Sequence, residues 1–244
     1  PMISSSLHID TLFDIQVNGY GGIDLQGRDV LPEDVAEVDA KLQRIGVSHW
    51  IPTFITSSFE NTEHGCATVA AALKDASLSC RIPGVHIEGP YISPHDGPRG
   101  AHDKRHVRKP NLREFDYWYK AADGRVTYIT LAPEIDGAIP FIKEMVNRRV
   151  VVSLGHHNAT ADEIARAVDA GARMCTHLGN GLASTINRHQ NPLWPQMAED
   201  RLHASVIADL EHLPPTLLKT SVRAKGPDRL MITSDAVHIA GLKP

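Results

Sequence analysis

Glu88, His156, His177 and Asp235 are the residues on which hydrolytic chemistry can be built. They stand in His86-Ile-Glu-Gly-Pro, Ser153-Leu-Gly-His-His-Asn-Ala, Cys175-Thr-His-Leu-Gly-Asn-Gly and Thr233-Ser-Asp-Ala. One carboxylate and two imidazoles suit a borderline divalent cation such as zinc, and three protein ligands leave a position open for water, as a catalytic site requires. An ion so held lowers the pKa of water toward neutrality and polarises a carbonyl oxygen. Asp235 is then the expected general base, taking a proton from that water and passing it to a leaving amine. Iron, cobalt and manganese share these ligand preferences, so the residues point to one divalent ion rather than to its identity. Each residue also has a plainer use: Asp235 as a helix N-cap, Glu88 as an exposed turn residue before Gly-Pro. Their joint placement at strand ends favours the site.

The elements that must position them form a regular alternation. Apolar runs predict strands at Ile9–Val17, Val47–Phe54, Ile82–Ile87, Val126–Leu131, Val150–Leu154, Ala172–His177, Ala204–Ala208 and Arg229–Thr233. Several are continuous Val/Ile/Leu segments, as parallel strands covered on both faces should be. Amphipathic stretches at Pro32–Ile45, Asn61–Ala76, Leu112–Ala122, Gly137–Asn147, Ala161–Ala170 and Pro215–Val222 predict helices between them. Pro32 and Pro215 at helix starts, and Gly46 and Gly171 after helix ends, are consistent punctuation. Eight strands alternating with helices predict an α/β fold, a (β/α)₈ TIM-type barrel. Gln16 and Asn18 then end strand one, Glu88 strand three, His156 strand five and His177 strand six. Asp209 and His212 follow strand seven, and Asp235 ends strand eight. All would converge on the C-terminal mouth, where barrel active sites are assembled. His157 should face away from His156, since adjacent strand residues point to opposite faces, and is assigned no ligand role. His86 lies deeper and is read as packing.

Composition narrows the function classes. Among 244 residues the formal net charge is −4, which gives no electrostatic case for nucleic acid or an anionic membrane. No apolar run approaches a membrane span. No GxGxxG follows the first strand and no GxxxxGK[ST] occurs, which removes support for nucleotide folds. The three cysteines, Cys66, Cys80 and Cys175, fit neither a disulfide framework nor a CxxC site, and with no secretory signal visible they suggest a reducing, cytoplasmic setting. Residues 1–244 are read as a single barrel domain, truncated or gapped at its ends, because the chain begins almost on strand one and stops just after strand eight.

From Phe13-Asp-Ile-Gln-Val-Asn-Gly-Tyr-Gly-Gly through His86-Ile-Glu-Gly-Pro to Thr233-Ser-Asp-Ala, the chain resembles the N-acetylglucosamine-6-phosphate deacetylases of the amidohydrolase superfamily. The resemblance implies hydrolysis of the N-acetyl group of N-acetylglucosamine 6-phosphate to glucosamine 6-phosphate and acetate. It implies Glu88, His156 and His177 as ligands of the ion and Asp235 as catalytic acid/base. His102, in Pro98-Arg-Gly-Ala-His, matches the histidine that polarises the N-acetyl carbonyl. Asn180 and Gly181 match a stretch that holds the sugar phosphate, Arg188 the phosphate-binding arginine, and His212 a substrate-contacting histidine. Most of the superfamily carries His-x-His at the end of strand one; here that place reads Gln16-Val-Asn18, which implies a single-ion site. A homodimer is a family expectation, as is a small flanking β domain that these residues do not represent. Departures from the family pattern fall at Gly179, Gly181, the Arg188-His-Gln-Asn-Pro spacing and Leu210-Glu211, all in the substrate pocket. They keep open an amidohydrolase acting on another N-acyl or cyclic amide. A non-catalytic metal- or sugar-phosphate-binding barrel is the reading from outside enzymology.

Overall fold

A computed structural model of the chain describes residues 11–242, so Ile9 and Asp10 of the first expected strand lie outside the described residues. Eight parallel strands follow one another around a barrel in chain order: β1 (Leu12–Val17), β2 (Val47–Ile55), β3 (Val85–Glu88), β4 (Val126–Leu131), β5 (Val151–Leu154), β6 (Met174–Cys175), β7 (His203–Ile207) and β8 (Leu230–Thr233). Between them run α1 (Pro32–Gln43), α2 (Phe59–Ala72), α3 (Leu112–Ala121), α4 (Ala138–Asn147), α5 (Ala161–Asp169), α6 (Leu193–Ala198) and α7 (Pro215–Lys225), each packed outside the sheet. This is the (β/α)₈ order expected for a TIM-type barrel. Among the described residues no helix is long and apolar enough to cross a membrane.

Local chemistry explains the punctuation. At α5 the Thr160 hydroxyl accepts the Glu163 N–H and the Glu163 carboxylate accepts the Thr160 N–H, so two orphan donors are satisfied reciprocally. Its buried residues, Ile164, Ala167 and Val168, fall at i, i+3 and i+4, the stripe that a helix needs to cover a sheet. Asn111 caps α3 with its side chain alone, its Oδ1 accepting from the N–H groups of Arg113 and Glu114. Helix α6 has no counterpart in the sequence expectation. Pro192 precedes it and Pro195 falls within it, and the apolar run is too short for periodicity to develop.

Large apolar side chains fill the layer between strands and helices, including Trp50, Phe115, Trp118, Ile142 and Met145. The barrel interior is more polar. His86 is fully buried, stacked 3.6 Å from the Tyr128 ring, and its Nε2 lies 2.8 Å from the Thr130 hydroxyl. Thr130, Thr176 and Ser153 then pass hydroxyl hydrogen bonds of 2.6 Å around the wall. A buried polar layer survives because its members satisfy one another, and Glu88 on β3 stands one layer above it.

Closure is uneven. Among the described residues β1 meets the end of β8 through a single parallel bridge, Val17 to Ala236, reinforced by the N–H groups of Asn18 and Gly19 donating to the Ala236 carbonyl. Asp14 Oδ1 accepts from the Thr233 hydroxyl and the Ser234 N–H. These ties lie toward the mouth, while Leu12, Phe13 and Ile232 remain exposed along the seam. Within β1 the register slips between Asp14, opposite Trp50, and Val17, opposite Pro52, which places a bulge at Ile15–Gln16.

Candidate metal centre and active site

Glu88 is the last residue of β3, and burial alone would raise the pKa of its carboxyl. His156 and His177 outweigh that effect and hold it well below the usual carboxylate range. Glu88 Oε1 lies 3.2 Å from His156 Nε2 and 3.0 Å from His177 Nε2, and the two Nε2 atoms are 3.0 Å apart. All three residues are buried. Burial works against charge on His177 too, but Glu88 prevails and its pKa is raised.

The backbone makes this convergence possible. β5 ends at Leu154 and β6 at Cys175, and the chain then turns sharply: His156 has φ of 52° and His177 of 31°. Asp235, two residues beyond β8, has φ of 51°. Left-handed backbone is uncommon for residues other than glycine, and such strain persists where surrounding structure over-determines it. The expected strand Ala172–His177 is therefore shortened to Met174–Cys175, because the turn at His177 breaks the ladder. The same turn after β5 separates the neighbouring histidines. His157 is buried away from the cluster, its Nδ1 accepting the Ala159 N–H.

The donor set fits a divalent ion. His156 Nδ1 donates to the Pro98 carbonyl at 3.0 Å, which leaves its Nε2 lone pair aimed at Glu88 and His177. Two imidazole nitrogens and a carboxylate oxygen in mutual contact need a shared proton or a cation between them. The three ligand atoms lie within 4.8 Å of one another, so one ion can reach them all.

Two further expected residues border this cradle. His102 Nε2 is 3.2 Å from His156 Nε2 and 3.8 Å from Glu88 Oε2. The Thr56 N–H donates to His102 Nδ1 at 3.3 Å, with the Thr56 hydroxyl 2.7 Å from the same atom. Burial, followed by the neighbouring His156, lowers the His102 pKa to about 3, so the ring is neutral, and the Thr56 N–H directed at Nδ1 leaves its proton on Nε2. Burial and then Glu88 raise the Asp235 carboxyl to about 6. Its Oδ1 accepts from Gln16 Nε2 at 2.9 Å and Asn18 Nδ2 at 2.6 Å.

The expected substrate residues are more dispersed. Gly181 lies against His156: a Cβ there would stand 3.0 Å from its Nδ1. Asn180 folds back so that its N–H donates to the His177 carbonyl. Arg188 is exposed in the segment between β6 and α6. His212 is exposed and bonded to Asp209 at 2.7 Å, and the hydrogen bonds of both residues stay within their own loop rather than reaching the cluster. Thr56 and the Pro98 carbonyl are contributors that the sequence reading missed. Pro98 lies inside the motif that carries His102, but nothing in residue type announces a backbone acceptor.

A parallel barrel with a buried carboxylate–imidazole cradle at its C-terminal mouth places the chain among TIM-type barrels that carry a candidate metal site. No protein-family model matches the chain. It is 32% identical over 243 residues to an N-acetylgalactosamine-6-phosphate deacetylase of Shewanella sp. (strain ANA-3), covering 98% of this chain and 59% of that protein. It is 28% identical to the N-acetylglucosamine-6-phosphate deacetylase of Bacillus subtilis (strain 168), covering 98% and 60%. A structure of a point mutant of the Mycobacterium smegmatis N-acetyl-D-glucosamine-6-phosphate deacetylase in complex with N-acetyl-D-glucosamine-6-phosphate superposes with a TM-score of 0.87. That match has 28% identity and covers 96% of this chain and 60% of the other. The chain is thus a relative of the N-acetyl amino-sugar 6-phosphate deacetylases and bears out the resemblance read from its motifs. It spans about three fifths of the length of the curated relatives it matches.

Proposed function

We propose that this barrel hydrolyses the N-acetyl amide of an amino sugar 6-phosphate, N-acetylglucosamine 6-phosphate in the first instance, releasing acetate and the free amine. The observation that carries this reading is the convergence of the Glu88–His156–His177 cradle with Asp235 and His102 at one barrel mouth. One divalent ion, zinc by preference of the donor set, would supply Lewis acidity there and make water a stronger acid. The neutral His102 donates its Nε2 proton toward the acetyl carbonyl oxygen as negative charge develops on it. Asp235 accepts a proton from the attacking water and returns it to the amide nitrogen, so the C–N bond breaks with an amine, not an amide anion, as leaving group. Asn180 and Gly181 border the sugar, His212 reaches it from the loop after β7, and Arg188 meets the phosphate. An exposed guanidinium is a fit partner for that anion. The three cysteines are unpaired, which suits a reducing cytoplasm.

The test is turnover of N-acetylglucosamine 6-phosphate beside its unphosphorylated form, with Asp235→Asn as control. The expected result is a strong preference for the phosphorylated sugar and a loss of about 10²-fold or more in kcat for Asp235→Asn, with bound metal retained. Equal turnover of the two sugars would remove the phosphate from the proposal, and near-normal turnover by Asp235→Asn would remove the base. The Shewanella relative favours a second reading, in which the C4 epimer, N-acetylgalactosamine 6-phosphate, is the better substrate. Comparing kcat/KM for the two phosphorylated epimers decides between them.

A further inference from the structure

Gln16 and Asn18 do more than fill the place of two absent histidines. The bulge at Ile15–Gln16 turns Gln16 into the mouth, where it is fully buried. The carbonyl of Ile15 is taken up by the Tyr128 hydroxyl at 2.7 Å, which pins the bulge to β4. From there the Gln16 amide nitrogen donates to two carboxylates at once, Glu88 Oε1 at 3.0 Å and Asp235 Oδ1 at 2.9 Å. Asn18, two residues along the same face, donates to Asp235 Oδ1 alone at 2.6 Å. Both amide carbonyl oxygens are buried without a hydrogen-bond partner among the described residues. An orphaned buried acceptor is costly, yet the reversed orientation would set each oxygen against a carboxylate. The carboxylates therefore fix both amides with their N–H groups inward.

We propose that Gln16 is a positioning residue shared by the two halves of the site, orienting the ion's ligand Glu88 and the base Asp235 together, whereas Asn18 positions Asp235 only. The base half of this proposal rests on the deacetylase reading; the Glu88 half does not. With Asp235 Oδ1 held by two amides, the carboxylate presents Oδ2 in a fixed direction. Removing a group that orients a metal ligand costs about 10- to 100-fold in metal affinity.

The experiment compares Gln16→Met and Asn18→Leu, near-isosteric variants without donors, on two readouts. Zinc affinity is measured by chelator competition with the full chain and no substrate, and kcat and KM on N-acetylglucosamine 6-phosphate with saturating zinc. Gln16→Met is expected to weaken zinc binding about 10-fold or more and also to lower kcat. Asn18→Leu is expected to keep the wild-type zinc affinity while lowering kcat with KM within twofold. Gln16→Asn and Asn18→Ser, which retain donors, should recover part of each loss. The sharing role is overturned if Gln16→Met binds zinc as tightly as the wild type, or if Asn18→Leu weakens zinc equally. The base half is overturned if both Leu and Met variants keep wild-type kcat. If the wild-type chain turns over no N-acetyl sugar phosphate, the deacetylase reading falls together with the base half, and the zinc measurement still decides the role of Gln16 at Glu88.

Discussion

The tautomer of His102 is dictated by its neighbour rather than by its own chemistry. Since the Thr56 N–H occupies Nδ1, the proton must sit on Nε2, the nitrogen that faces Glu88 and His156. Loss of one donor to a developing oxyanion costs about 10²- to 10³-fold in kcat. His102→Phe should fall in that range, whereas His102→Asn, which keeps an N–H donor, should retain part of the rate; steady-state kinetics with metal content measured in parallel checks both. Gly181 shows the same dependence on a close neighbour. Its φ of 61° already disfavours a side chain, and a Cβ would press on the His156 ring at 3.0 Å. Gly181→Ala is therefore expected to weaken zinc binding even though residue 181 is no ligand, and an unchanged chelator titration would contradict that expectation. Glu88, His156 and His177 were legible from residue type and strand-end position. The protonation site of His102 and the packing of Gly181 were not, because both depend on partners far away in sequence.

Among elements, the strands were the most readable part of the chain, since continuous Val/Ile/Leu runs between helical patterns have few alternatives. The endings of those strands were less so. The left-handed turns at His156, His177 and Asp235 carry no composition signal, as none of the three is glycine. Helix α6, with two prolines in or beside a six-residue helix, was invisible for want of a full amphipathic period. Glu134 is a further case, a carboxylate at the exit of β4 that accepts the Asn158 N–H at 2.7 Å and so ties that loop to the one after β5. Burial raises its pKa in the folded chain, and its Oε2 has no partner among the described residues. The folded state then binds this proton more tightly than the unfolded state. Stability from the group is present below the unfolded value, about 4.3, and is lost as pH rises through the folded value. Glu134→Gln keeps the acceptor and cannot ionise. Chemical denaturation should show it more stable than the wild type at pH 7 to 8, with the difference closing below about pH 4.

At the scale of the whole molecule, the described residues tie the barrel seam at its mouth and leave apolar side chains exposed along its flank. The bridge from Val17 to Ala236 and the hydrogen bonds of Asp14 join β1 to β8 close to the site, which protects the geometry of Gln16, Asn18 and Asp235. Along the outer side of the same two strands, Phe13 is 50% and Ile232 68% exposed, with Leu12 and Ile45 also exposed nearby. A contiguous apolar patch of this kind attracts other apolar surfaces, whereas scattered apolar residues do not. The described chain, studied alone, should bind an apolar fluorescent dye and scatter light increasingly with concentration. Ile232→Lys should reduce both signals. Its melting temperature should shift little, because so exposed a side chain gives up little burial when replaced. The same substitution should leave zinc affinity unchanged, since Ile232 points away from the ligand-bearing interior while its neighbour Thr233 is buried. Dye binding that persists in Ile232→Lys would place the adhesive surface elsewhere, and a fall in zinc affinity would mean that the flank and the mouth of this barrel are mechanically coupled through β8.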